Sequence, residues 1–170
     1  MDMIIEMTAD RRQAFEQLLE QHRGIVRKVA NGYARDREDR ADLVQEIAIQ
    51  LWRAWPRYDP AQPFSTWMYR IALNVAISQL RGQALRKRHA VALDEDQHDF
   101  ADPNPTDPEL EQQVRALHRF IQRQAPLDRA LLLLYLDERS GREIADILGI
   151  SDSNVTTKIN RLKQRIRNEL

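Results

Sequence analysis

The sequence has no cysteine and few glycines, and its positive and negative charges balance. Without cysteine among its 170 residues, the chain forms neither disulfides nor thiolate metal sites, and its four histidines show no ligand spacing. The 26 Lys and Arg residues match the 26 Asp and Glu residues, which excludes a general basic coat but not a basic patch. The first residues lack a signal-peptide pattern, and no apolar run approaches membrane-spanning length. We therefore expect a soluble cytoplasmic protein that needs no metal or other cofactor.

The apolar pattern and the distribution of charge predict the organisation of the chain. Apolar residues repeat at helical spacing and no alternating strand pattern is evident, so we expect an all-α fold. Residues 1–88 hold 15 basic and 11 acidic residues, and residues 113–170 hold 11 basic and 7 acidic residues. Between them, residues 89–112 hold 8 acidic residues, no basic residue and three of the seven prolines. This composition is typical of a linker between two small helical domains, and a solvated spacer is its simplest interpretation.

The C-terminal domain has the signals of two short helices joined by a turn. An apolar helix is predicted over Leu127–Leu136. Ser140 and Glu143 then match a capping box that opens the next helix. Gly149 can turn the chain at positive φ, and Ser151 is a suitable N-cap for the last helix. These signals favour a helix-turn-helix unit.

The last helix combines a buried stripe with a polar face. Val155, Ile159, Leu162 and Ile166 step by helical intervals and predict the buried side. The other face is polar at its start and basic at its end, as expected of a helix that reads the major groove and holds phosphates. An ordinary amphipathic helix with a solvated face is the alternative. The polar face contains Ser153, Asn154, Thr156, Thr157, Lys158, Asn160 and Arg161, followed by Lys163, Arg165 and Arg167.

The N-terminal domain is predicted to contain three helices. The first covers Ala14–Val29 and is followed by the polar loop RDREDRA. The second covers Asp42–Trp55, the proline-rich segment Pro56–Phe64 is a loop, and the third helix covers Ser65–Arg81. In the second helix, Leu43, Ile47, Leu51 and Ala54 form the apolar stripe, and Asp42, Gln45, Glu46 and Ile49 lie off it.

The third helix carries aromatic and polar residues suited to unpaired bases. Trp67 and Tyr69 lie beside Arg70 and Asn74, and such side chains can stack on bases and bind their edges. Burial of Trp67 and Tyr69 in the core is the alternative. The basic cluster Arg86–Arg88 suits phosphate contact, although a solvated charge run is an equal interpretation.

These patterns favour a protein that binds duplex DNA with one domain and unpaired bases with the other. Two other classes of protein are alternatives. A helix-turn-helix regulator that binds DNA alone explains the C-terminal half but leaves the N-terminal helices without a purpose. An enzyme would need a site such as the acidic cluster of Asp36, Glu38, Asp39 and Asp42, which could hold a metal. Arginines alternate with these acids, which favours a solvated loop.

The motifs resemble those of a known family. DLVQEIAIQLWRAW followed by FSTWMYRIALNVAISQLR resembles the second conserved domain of bacterial RNA polymerase sigma factors, and GREIADILGIS with its following helix resembles their fourth. Both on one chain, from about Ala14 to Leu170, resemble the extracytoplasmic-function (ECF) group of the sigma-70 superfamily. The resemblance implies a non-enzymatic protein that binds core RNA polymerase and directs it to promoters of a stress- or signal-responsive regulon. It also implies that the acidic linker threads polymerase channels, and that an anti-sigma factor, often tethered at the inner membrane face, inhibits the protein.

The resemblance further implies three sets of binding residues, and Asn74 is the best candidate to contact a flipped base. Two departures from the family pattern bear on the promoter sequence that is recognised. Pro60 and Pro63 stiffen a loop that usually carries a glycine, and Thr156 stands where a basic residue is frequent. Core polymerase is expected to contact Asp42, Gln45, Glu46, Ala48 and Trp52. The melted −10 element is expected to contact Tyr58, Asp59, Ala61, Gln62, Phe64, Ser65, Arg70, Asn74 and Arg81. The −35 duplex is expected to contact Ser153, Asn154, Thr156, Thr157, Lys158, Asn160 and Arg161.

Overall fold

The protein is all-helical in the residues that its computed structural model describes, 2–87 and 107–170, with side chains described for 9–83 and 107–170. This confirms the predicted fold class. None of the described helices is both long and apolar enough to cross a lipid bilayer. The helices are α1 (Asp2–Gln21), α2 (Arg23–Tyr33), α3 (Arg37–Ala54), α4 (Phe64–Lys87), α5 (Pro108–Gln122), α6 (Pro126–Leu136), α7 (Gly141–Leu148) and α8 (Asp152–Glu169), with a 3₁₀ turn at Trp55–Arg57.

The predicted helix Ala14–Val29 is interrupted at His22, where α1 ends and α2 begins. His22 has a non-helical backbone (φ −115°, ψ 18°). Its ring packs against Phe64, with 5.0 Å between the ring centroids. No proline in the sequence marks this break. The break coincides instead with the contact between His22 and Phe64, which is distant in the sequence.

The predicted polar loop RDREDRA is largely helical, because α3 begins at Arg37. The carboxylate of Asp36 caps this helix by accepting the backbone N–H of Asp39 at 2.8 Å. Asp39 in turn accepts the backbone N–H of Arg35 at 3.0 Å and the side-chain amide of Gln83 at 2.9 Å. The acidic cluster therefore accepts hydrogen bonds from backbone N–H groups at the N-terminus of α3. Within the described part of the chain, no group of three or more His, Cys, Asp or Glu residues could hold a metal ion.

The first four helices enclose an apolar core that matches the predicted stripe. Leu43, Ile47 and Leu51 of α3 are buried in one core with Val29 of α2 and Met68 of α4, and these three helices pack against one another. Burial of side chains of this size stabilises the fold by about 1.5–3 kcal/mol each.

The other four helices form the second domain. Pro108 is the first residue of α5, and Asp107 caps that helix through the N–H of Glu109, so residues 108–112 of the predicted linker are helical. Proline fits this position because the first helical N–H has no partner within the helix. The core joins α6, α7 and α8, with Leu134 and Ile144 fully buried beside Val155.

The two domains pack directly against each other. Helix α4 contacts α6 and α7, and α2 contacts α5 and α6. The hydroxyl of Tyr33 donates to the carbonyl of Pro126 at 2.7 Å, and the backbone of Gly32 approaches Leu133 closely. The relative orientation of the domains could not be predicted from the sequence.

Candidate nucleic-acid and polymerase interfaces

The helix-turn-helix unit has the caps that the sequence predicts. The Oγ atom of Ser140 accepts the backbone N–H of Glu143 at 3.1 Å and opens α7. Gly149 ends α7 in the left-handed conformation (φ 69°), and its N–H donates to the carbonyl of Ala145 at 2.8 Å. Ser151 opens α8 by accepting the N–H of Asn154 at 3.1 Å. Local hydrogen bonds therefore hold the turn between the two helices.

Helix α8 presents its predicted polar face to solvent. Val155, Ile159 and Leu162 are buried, as the stripe predicts. Farther along, Lys163 lies 4.5 Å from the ring of Tyr135, so this part of the basic end packs on its own domain. Arg165 and Arg167 beyond it are exposed, and so is most of the polar face in the first three turns. There Ser153, Asn154, Thr156, Thr157, Asn160 and Arg161 are exposed, and Lys158 is half-buried.

The loop between α3 and α4 is held in one shape by its own hydrogen bonds. The hydroxyl of Tyr58 donates to the carbonyl of Gln62 at 2.7 Å. The carboxylate of Asp59 accepts the N–H of Ala61, and the N–H of Gln62 donates to the carbonyl of Asp59, both at 3.0 Å. Asp59 and Ala61 are exposed, whereas Tyr58 and Gln62 are half-buried. This loop is thus ordered before any ligand binds.

An aromatic cluster supports that loop from below. The rings of Trp55 and Tyr58 stack with 5.3 Å between centroids and 14° between planes. Phe64 and Trp67 lie beneath them and are only 7% and 9% exposed. For Trp67 and Tyr69 the core alternative is therefore correct. Phe64 belongs to the same buried cluster, so we expect it to position the loop rather than to stack on a base.

The outer face of α4 carries the remaining residues predicted to bind the −10 element. Arg70, Asn74 and Arg81 are exposed and lie on one side of the helix, at i, i+4 and i+11. Ser65 is half-buried, and its hydroxyl oxygen accepts a hydrogen bond from Nη1 of Arg139 at 3.2 Å. Arg70 donates from Nε at 3.0 Å and from Nη2 at 2.6 Å to the carbonyl of Asp146. Two of these residues therefore contact the C-terminal domain.

The outer face of α3 is opposite its buried stripe. Asp42, Gln45 and Glu46 are exposed, Ala48 is half-buried, and the Trp52 side chain is 44% exposed. Phe15 of α1 supports the ring of Trp52, with centroids 5.2 Å apart.

Ile49 shares the outer face of α3 and was absent from the predicted contact set. It is 38% exposed and lies one turn from Gln45. Its position off the apolar stripe was the signal that could have identified it. Together with Trp52, Ile49 gives this face contiguous exposed apolar area, which is what marks a candidate protein-binding surface.

Comparisons with known proteins match both halves of the chain. The family model Sigma-70 region 2 matches residues 18–86, and the model Sigma-70, region 4 matches residues 115–166. The ECF RNA polymerase sigma factor SigE of Mycolicibacterium smegmatis is 28% identical over 159 residues, which is 92% of this chain and 62% of SigE. The chain belongs to the ECF group of the sigma-70 family. It spans 40% to 62% of the length of the first relatives that it matches.

Two solved structures share the fold of this ECF sigma-70 protein. One is CnrH in complex with the cytosolic domain of CnrY, with a TM-score of 0.67, 21% identity, and coverage of 92% of this chain and 87% of CnrH. The other is the sigma factor RpoE in complex with the anti-sigma factor NepR from Bartonella quintana. Its TM-score is 0.69 at 17% identity, with coverage of 92% and 96%.

The matched regions divide this sigma-70 protein at the observed domains. Region 2 covers α2, α3 and nearly all of α4, and region 4 covers most of α5 to α8. Most of α1 lies outside both regions. Arg88 and the acidic segment up to residue 106 lie outside the described residues, as do the side chains of Arg86 and Lys87.

Proposed function

We propose that this protein is a sigma factor that binds core RNA polymerase and directs it to the promoters of a specialised, stress- or signal-responsive regulon. The observation that carries the proposal is the presence, on one chain, of an exposed α3 face, a preformed loop at the start of α4 and a helix-turn-helix. A regulator that acts alone on duplex DNA would need only the last of these. We propose a non-enzymatic role, because each of these surfaces suits binding and none assembles reacting groups.

The α3 face is the proposed polymerase-binding surface. Its carboxylates at Asp42 and Glu46 and the amide of Gln45 can pair with a basic and polar partner. Ile49 and Trp52 add apolar area to the same side of the helix. A patch with an aromatic anchor among polar groups has the composition of a binding hot spot. Ala48 lies at the edge of this patch and would allow close approach of the partner.

The loop of residues 58–63 and the outer face of α4 are the proposed −10 site. The internal hydrogen bonds of the loop reduce the entropy lost when a base binds, and the stacked rings beneath it keep it in place. Asn74 can both donate to and accept from a base edge. Arg70 and Arg81 flank it on the same face and suit the phosphates of a melted strand.

The first three turns of α8 are the proposed −35 site. Short polar side chains at Asn154 and Thr157 can approach base edges in the major groove, and Asn160 and Arg161 can form bidentate contacts there. Thr156 also donates to the carbonyl of Asp152 at 3.1 Å, which fixes its rotamer.

We further propose an anti-sigma factor as a partner and the cytoplasm as the location, with retention at the inner membrane face through that factor. The support is that RpoE, a structural neighbour, was solved with the anti-sigma factor NepR, and that CnrH was solved with a cytosolic domain. We keep the predicted division into 1–88, 89–112 and 113–170 as a proposal for the roles of the parts, with the second boundary moved to residue 107 because α5 begins at Pro108. Their functional test is whether each part binds its own target.

Charge reversal on α3 tests the proposed polymerase surface. Glu46→Lys should reduce co-purification with core RNA polymerase by at least ~10-fold, because it puts a like charge against the proposed basic partner. Glu38→Lys is the matched control, since it makes the same charge change on an exposed residue of the same helix. Equal recovery of polymerase with both variants would refute the assignment of this surface.

A further inference from the structure

We infer that the C-terminal domain covers part of the −10 surface in the free protein and is held there by Asp137, so that the chain inhibits its own binding to melted DNA. The inference presupposes the proposed function and adds a regulation of that same site. It rests on contacts between the domains that use the side chains proposed to bind DNA.

Asp137 is the centre of these contacts. Its carboxylate accepts hydrogen bonds from Lys28 and from the hydroxyl of Tyr69, both on the N-terminal domain, the latter at 2.5 Å. It also accepts Nε of Arg139 at 3.0 Å, and the Arg139 guanidinium lies 5.3 Å from the ring of Tyr69. The side chain of Asp137 is only 11% exposed. One carboxylate thus joins groups from both domains in a largely desolvated place.

The backbone at the end of α6 is shaped to place this carboxylate. Glu138 has a positive φ of 59°, a conformation that is costly for a residue other than glycine. The N–H of Arg139 then reaches back to the carbonyl of Leu134 at 3.1 Å. This turn directs Asp137 and Arg139 toward α4. A strained residue next to a cluster of interdomain contacts suggests that the placement is functional rather than incidental.

The same interface occupies two residues proposed to bind the −10 element. Arg70 donates twice to the carbonyl of Asp146, in the last turn of α7. Carbonyls at a helix C-terminus lack intrahelical partners and carry negative partial charge, so a guanidinium satisfies them well. Ser65 accepts from Arg139. Arg70 cannot turn its Nε–Nη2 edge toward a phosphate while that edge holds the carbonyl of Asp146, and the Arg139 guanidinium lies against the Ser65 hydroxyl.

The interface has the character of one that separates. It combines apolar contacts, such as Gly32 against Leu133, with the Lys28–Asp137 ion pair and hydrogen bonds such as Tyr33 to the carbonyl of Pro126. Such groups can be solvated again when the domains part, which is typical of mobile interdomain contacts. The proposed −35 face of α8 stays exposed in this arrangement. Closure engages Arg70 and Ser65 while Asn74 and Arg81 stay exposed, so it is expected to weaken binding of melted −10 DNA and to leave binding of duplex DNA unchanged.

Closure lowers the apparent affinity for melted DNA in proportion to the fraction of molecules that remain open. If only open molecules bind melted DNA, the observed dissociation constant is the intrinsic constant divided by that fraction. Removing the shared acceptor at Asp137 leaves Tyr69 and Lys28 without their partner. Hydrogen bonds to a charged group contribute enough that loss of this acceptor should shift the equilibrium toward opening by roughly tenfold.

The test compares Asp137→Ala with Asp146→Ala. Both substitutions remove one negative charge, but Arg70 contacts the backbone carbonyl of Asp146, which the second substitution retains. Because the chain has no cysteine, Gln13→Cys and Asn168→Cys provide a unique dye pair on exposed sites of the two domains. Energy transfer measures opening, and fluorescence anisotropy measures binding of a degenerate single-stranded 12-mer pool and of its duplex form.

We expect Asp137→Ala to lower energy transfer and to tighten single-strand binding by up to about tenfold, the limit reached when nearly all molecules are closed, with duplex binding changed less than twofold. Asp146→Ala should match the unmodified chain. Unchanged energy transfer with Asp137→Ala, or opening without tighter single-strand binding, would overturn the inference. Lys28→Ala changes an exposed residue and leaves the core intact. It should also lower energy transfer and tighten single-strand binding, and it repeats the test if Asp137→Ala misfolds. A chain that opens as expected but supports no transcription with core polymerase would instead contradict the proposed function.

Discussion

Gly32→Ala should open the interface between the domains while leaving the helix that carries it intact. A methyl group at Gly32 would lie 2.6 Å from Cδ1, 3.1 Å from Cδ2 and 3.3 Å from Cγ of Leu133 on the other domain. Overpacking of this kind costs about 1–3 kcal/mol. Alanine also favours the helix by about 0.5–1 kcal/mol, but that gain is present in the open and the closed forms alike. The closing equilibrium should therefore fall by roughly 5- to 150-fold.

The assay is energy transfer between dyes on the two domains, with Gly24→Ala as the matched control. Gly24 lies in the same helix, and a methyl group there would meet no atom within 4 Å. Gly32→Ala should lower energy transfer and Gly24→Ala should not. Truncation of the opposing side chain, in Gly32→Ala with Leu133→Ala, should restore closure in part. If Gly32→Ala stays as closed as Gly24→Ala, Leu133 has rotated away at little cost and the steric reasoning is wrong.

Two further predictions concern the proposed −10 site and the Asp137 contact that holds the C-terminal domain against it. Asn74→Ala should reduce promoter opening by about 10- to 100-fold with little change in initial closed binding, because a base-edge contact contributes ~1–3 kcal/mol, and permanganate reactivity of unpaired thymines measures the opening. Unaltered opening would exclude Asn74 from base capture. Burial alone would raise the pKa of Asp137, but hydrogen bonds from Lys28, Tyr69 and Arg139 outweigh it and hold the pKa below its ordinary value of 3.8. The Asp137 carboxylate therefore contributes fully to closure above pH 3.8. This contribution is lost as the pH falls through the lower pKa that Asp137 has in the closed form. The difference in energy transfer between the unmodified chain and Asp137→Ala should persist at neutral pH and vanish only below pH 3.8, and its loss near neutrality would contradict the role of this carboxylate.

Features that depend on neighbouring residues could be predicted from the sequence. The caps at Ser140 and Ser151 and the left-handed Gly149 each depend on hydrogen bonds within a few residues. The buried sides of α3 and α8 follow from helical periodicity alone. The polar faces opposite them, and hence most candidate binding residues, follow from the same pattern.

Features that depend on distant contacts could not be predicted in this way. Trp67 and Tyr69 have the residue types of a base-stacking site, yet tertiary packing buries both. The break at His22 accompanies a contact with Phe64, which lies 42 positions away. Asp137 appeared in no sequence motif, because its partners Lys28 and Tyr69 lie on the other domain.

Run-off transcription with core RNA polymerase on a pool of genomic promoters, with and without this protein, tests the proposed sigma activity most directly. Discrete transcripts that appear only when the protein is added, and that disappear with Glu46→Lys, are the predicted result. Their aligned start sites would also reveal both promoter elements. If no new transcript appears and the protein alone binds duplex DNA tightly, it is a helix-turn-helix regulator and not a sigma factor.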